Sequence, residues 1–103
     1  MPISISYLQA YIKANDHVPE KRDRYFMKLV EETGELSRAI RKDALRAEDG
    51  GVKGTIGEEL WDVIYYALAL ANCYDIDMEA VIPQKEALNN KKYGDKTPFI
   101  PDM

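Results

Sequence analysis

The chain has 103 residues, with 14 Lys and Arg against 18 Asp and Glu, and a formal net charge of −4. A single domain of this size buries only a modest core, and its acidity offers no basic surface to nucleic acid. One cysteine, Cys73, excludes an intramolecular disulfide, and the longest apolar run, 63–71, is far short of the roughly 20 residues that span a bilayer. The start "MPISISYLQ" lacks the basic opening and apolar stretch of a signal peptide, so a cytoplasmic protein with no membrane partner is expected.

Residues 4–14 carry Ile5, Leu8, Tyr11 and Ile12 at helical spacing, which predicts a first helix that "NDHVP" ends. Residues 20–42 predict a second. Its apolar stripe runs through Leu29, Leu36 and Ile40, flanked by Tyr25 and Ala39. At about 100° per residue, Glu32 falls inside that stripe and Glu35 on its edge. The glycine-rich "AEDGGVKG" predicts a loop.

Thr55 then caps a third helix reaching about residue 74, and Glu58, three residues on, completes a capping box. This helix is apolar almost all round and reads as the central one. It repeats the oddity of the second, because Glu59 and Asp62 share a face with Tyr66, Leu70 and Cys73. Trp61 points away from Glu59 and is assigned to packing or a subunit interface. Asp77 caps a fourth helix to about residue 93, where Gly94 follows. Pro83 removes a backbone hydrogen bond inside it, so this helix either kinks there or begins later. Lys85, Asn89 and Lys92 share one of its faces. The tail, 95–103, is expected to be extended. With no period-2 alternation and no repeats, the pattern predicts an all-α four-helix bundle over 1–103, completed by oligomerisation.

A glutamate beside a helix stripe commonly just reaches water. Two acid pairs, Glu32/Glu35 and Glu59/Asp62, each on an inward face, are a different matter, since antiparallel packing brings them to one point. Four carboxylates at low dielectric need a positive partner. Oxygen ligands without Cys or His select a hard cation, Mg2+, with Mn2+ as a substitute. A di-iron site needs Glu-x-x-His motifs, and the one histidine, His17, sits in a predicted loop.

At these residues the chain resembles a known family. "EETGEL" at 31–36 and "EELWDV" at 58–63 resemble the EExxE…ExxD signature of the MazG-like all-α nucleoside triphosphate pyrophosphohydrolases. "KEALNNKKYG" at 85–94 resembles that family's closing segment, so the likeness covers about 22–94. The resemblance implies a homodimer or homotetramer that hydrolyses a nucleoside or deoxynucleoside triphosphate to monophosphate and pyrophosphate. It implies Glu32, Glu35, Glu59 and Asp62 as magnesium ligands, with Glu31 beside Glu32 helping to place the attacking water. Lys85, Asn89 and Lys92 match phosphate contacts, and Tyr66 matches a position at the nucleotide end of the pocket. Two features depart from the family. Some relatives carry a tryptophan near the end of the second helix, where this chain has "RKD", and two-domain members have a second catalytic copy.

Two alternatives stand beside this reading. One is a phosphoribosyl-ATP pyrophosphohydrolase, which shares the broad fold. The other is a non-catalytic helical module whose acids serve metal-stabilised folding or dimerisation.

Overall fold

The computed structural model describes residues 2–94 and 97–100, and among these there are four α-helices and no strand. Helix α1 (Ile5–Asn15) opens at Ser4, whose hydroxyl accepts from the Tyr7 N–H at 3.0 Å. A single 3-10 turn, Pro19–Lys21, leads into α2 (Arg22–Arg41). Helix α3 (Ile56–Cys73) opens at Thr55, and α4 (Met78–Tyr93) opens at Asp77. Each of the three side-chain caps satisfies an amide that the first helical turn leaves without a partner.

The capping box at Thr55 differs from the expected form. The Thr55 hydroxyl accepts from the Glu58 N–H at 3.2 Å as expected, but the Glu58 carboxylate accepts from the Gly54 N–H at 2.7 Å. The Thr55 N–H is already bound to the Val52 carbonyl, so the glutamate reaches one residue further back. Gly54 has φ +78, a conformation that a side chain would oppose. Helix α4 begins at Met78 and runs through Pro83, which removes the later start as an option. Of the tail, 97–100 has no regular structure, and the expectation for 95, 96 and 101–103 lies outside the described residues.

Helices α2 and α3 pack antiparallel. The Ile56 N–H at the start of α3 bonds the Ala44 carbonyl just past the end of α2, while Tyr25 near the start of α2 joins Leu68, Ala69 and Cys73 of α3 in the core. Ile12 of α1 completes that core and is fully buried, with Ile5 and Leu8 beside it. Cys73 is buried there as a small apolar residue, and burial pushes its thiol above the ordinary value.

On α2 the buried residues are Tyr25 and Ala39, whereas Ile40 is 55% exposed, contrary to its expected inward place. Tyr25, Glu32 and Ala39 lie seven residues apart in turn, so the inward face is centred on the direction of Glu32 itself.

Helix α4 leans on α1 rather than beside α2. A buried amide pair makes the joint. The Gln9 side-chain amide donates to Asn72 Oδ1 at 3.0 Å and to the Ile76 carbonyl at 2.9 Å, and its Oε1 accepts from the Met78 N–H at 3.0 Å. Asn72 in turn donates to the Gln9 carbonyl at 3.0 Å. No helix among the described residues is long and apolar enough to cross a membrane.

Candidate functional site

Three acids converge where α2 crosses α3. Glu32, Glu59 and Asp62 each offer a carboxylate oxygen, and these oxygens lie within 4.8 Å of one another. The Glu32 side chain is only 15% exposed, and Glu59 Oε2 is buried with no hydrogen-bond partner. Such an oxygen costs free energy unless something donates to it or coordinates it. Burial holds the Glu59 carboxyl above the ordinary glutamate value, and the charges of Asp62, Glu32, Glu58 and Glu35 push the same way. Asp62 is raised as well, by burial first and by Glu58 second, while Lys28 opposes the rise. Carboxylates at low dielectric with an orphaned oxygen suit a hard divalent cation, which would supply the missing partner and offset their repulsion.

The other expected ligand, Glu35, is turned elsewhere. Its carboxylate lies 3.7 Å from the Arg38 guanidinium and is 46% exposed, close enough to Glu59 for its charge to be felt there. Glu31 is 64% exposed and 3.6 Å from Lys28. Tyr66 stands beside the acids on α3, with Lys28 Nζ 5.7 Å from its ring centre and the Tyr65 ring edge-on at 5.0 Å.

Among the described residues no ion pair or hydrogen bond joins the expected basic face of α4 to this cluster, and α4 packs on α1. Lys85 and Lys92 are exposed, Lys92 lies over the Tyr93 ring at 5.4 Å, and the Asn89 amide donates to Glu86 at 3.0 Å. The cation that does meet the acids is Lys28, 4.0 Å from Glu32. Its i, i+4 spacing to Glu32 on one helix is a signal present in the sequence.

An open groove of about 550 Å³ runs alongside, lined by Lys21, Arg24, Lys28 and Glu31 with Tyr25, Tyr66 and Asp16. Asp16 is a residue that the helical pattern does not reveal. Its carboxylate accepts from the Tyr25 hydroxyl at 2.8 Å and the Tyr65 hydroxyl at 3.0 Å, which pins the break after α1 to both α2 and α3. Burial and that bond push the Tyr65 phenol up to about 12.

Residues 20–97 match the model of the MazG nucleotide pyrophosphohydrolase domain. The chain is also similar to crystal structures of iMazG from Vibrio DAT 722. The N-terminally tagged form is 45% identical with a TM-score of 0.79, over 88% of this chain and 98% of that one. The C-terminally tagged form is 44% identical with a TM-score of 0.78, over 85% of this chain and 99% of that one. A comparison with curated proteins finds no match. Family match, shared fold and converging acids agree: the chain belongs to the MazG nucleotide pyrophosphohydrolases, hydrolases that act on nucleotide pyrophosphate bonds.

Proposed function

We propose that the protein is a cytoplasmic Mg2+-dependent enzyme that hydrolyses nucleoside or deoxynucleoside triphosphates to monophosphate and pyrophosphate, clearing the nucleotide pool. The observation that carries this reading is the buried, partnerless oxygen of Glu59 inside a three-carboxylate cluster. The whole chain serves as one catalytic domain. Glu32, Glu59 and Asp62 hold the cation, and Glu35 joins them by leaving Arg38. When bound, the ion would supply neutralisation of phosphate oxygens and a lowered water pKa, so that hydroxide is available near neutral pH.

The chain's own residues do the rest. Glu31 orients the attacking water. Tyr66 packs against the nucleoside end of the substrate. Lys85, Asn89 and Lys92 hold the departing pyrophosphate, with charge stabilisation and positioning supplying most of the rate. Since α4 leans on α1 within one chain, these three groups reach the acids of a second copy in a homodimer, or in a homotetramer built from such dimers.

The test is a panel of standard and modified nucleoside triphosphates, with phosphoribosyl-ATP among them, assayed with Mg2+ for pyrophosphate release. Release that needs Mg2+ supports the reading. A protein whose melting temperature rises with Mg2+ while no substrate yields pyrophosphate is a binding module instead.

A further inference from the structure

Lys28 occupies a position with two faces. On one side its ammonium is 3.6 Å from Glu31 and 4.0 Å from Glu32. On the other it lines the open groove with Lys21 and Arg24, over the Tyr66 ring. Among the described residues it is the one cation paired with a member of the three-acid cluster. Its side chain is 43% exposed, so little packing fixes it in place.

A divalent cation bound at Glu32 would remove the reason for its pairing with Glu32 and repel the ammonium toward the groove, where Glu31, its nearer partner, also lies. The lysine stem is flexible and its head is a compact point charge, so it can turn without disturbing the helix. The groove is where it would turn. The groove's three cations, Lys21, Arg24 and Lys28, outnumber its two carboxylates, Asp16 and Glu31, and the Asp16 oxygens are held by two tyrosine hydroxyls, so a phosphate group meets an excess of positive charge there.

We propose that Lys28 is an exchangeable counter-ion: it neutralises Glu32 before the metal binds, and afterwards it turns into the groove to meet a phosphate group of the triphosphate. This rests on the metal-dependent reading above. It makes Lys28 a competitor of the metal and a helper of the substrate, two effects of opposite sign.

The experiment titrates Mn2+ into substrate-free wild type, Lys28→Met, Lys28→Gln and Lys28→Arg, reading free Mn2+ by its paramagnetic resonance, and then measures steady-state kinetics on the same preparations. Loss of one positive charge near a divalent site should tighten Mn2+ binding about three- to ten-fold at low salt in the Met and Gln variants. Their KM for the triphosphate should rise about ten-fold, with kcat changed less, and Lys28→Arg should stay near wild type in both. Weaker Mn2+ binding together with weaker substrate binding would mark Lys28 as a structural prop and overturn the proposal. Unchanged Mn2+ affinity in the Met and Gln variants of a wild type that binds Mn2+ and turns over would overturn it alone. A wild type that binds no Mn2+ would instead overturn the metal-dependent reading itself.

Discussion

Glu59 carries the clearest conflict in the molecule, a buried oxygen without a partner among like charges. Its carboxyl and that of Asp62 hold their protons to higher pH in the folded chain than in the unfolded one. The folded state therefore binds more protons between the ordinary carboxylate range, about pH 4, and the raised values. Stability of the metal-free protein falls as pH rises through that window and is level above it. Glu59→Gln removes the charge, so the metal-free variant should melt at or above wild type at neutral pH, with the gap closing as pH falls to about 4. Added Mg2+ should reverse the order by raising only the wild type. Thermal melts across pH, with and without Mg2+, check both statements. The place of Glu32 was readable from sequence because helical periodicity puts it among Leu29, Leu36 and Tyr25. Which neighbours are buried was less readable. Ile40 turns outward because the packed face is set by what α3 offers, and a single helix's apolar stripe does not contain that information.

Helix ends were legible because capping is local. Thr55 and Asp77 each accept from an amide within three residues, and the sequence contains both partners of those bonds; Ser4, expected as the first residue of its helix, caps α1 in the same way. The seat of α4 was not legible. It depends on Gln9 meeting Asn72 across 63 residues, with both side chains buried and their amides engaged. Gln9→Ala strips partners from Asn72, from the Ile76 carbonyl and from the Met78 N–H at once. Leaving buried polar groups unpaired costs about 1–3 kcal/mol. Denaturant unfolding should show a loss in that range, and amide exchange should quicken through α4 before the α2–α3 pair is affected. Asn72→Leu on its own should cost a similar amount, and the double variant should cost less than the two single losses combined, since both remove one joint.

The single chain exposes more surface than its size requires. Its accessible area is 7960 Å² for 11.8 kDa, against about 5,900 Å² for a folded monomer of that mass. Its radius of gyration is 16.1 Å, against about 13 Å for a compact domain of this length. The excess is apolar in part: Phe26, Met27 and Val30 on α2, and Leu60, Trp61 and Ile64 on α3, are all more than a third exposed. An excess of about 2,000 Å² per chain matches the burial of an obligate pair. Sedimentation at micromolar concentration should find no monomer, while Ile64→Asp should release one of reduced stability. If the pair also completes the site, Glu59→Gln and Lys85→Ala chains, each nearly inactive alone, should regain roughly a quarter of wild-type activity when refolded together, the share of intact sites in a random dimer mixture.

The most direct measurement follows a nucleoside triphosphate by 31P NMR in the presence of Mg2+, with wild-type protein and with Glu59→Gln side by side. Monophosphate and pyrophosphate should appear in equal amounts with wild type, and neither should form above background with the folded variant. Diphosphate and orthophosphate as products, or undiminished turnover by Glu59→Gln, would contradict a carboxylate-held metal acting at the pyrophosphate bond.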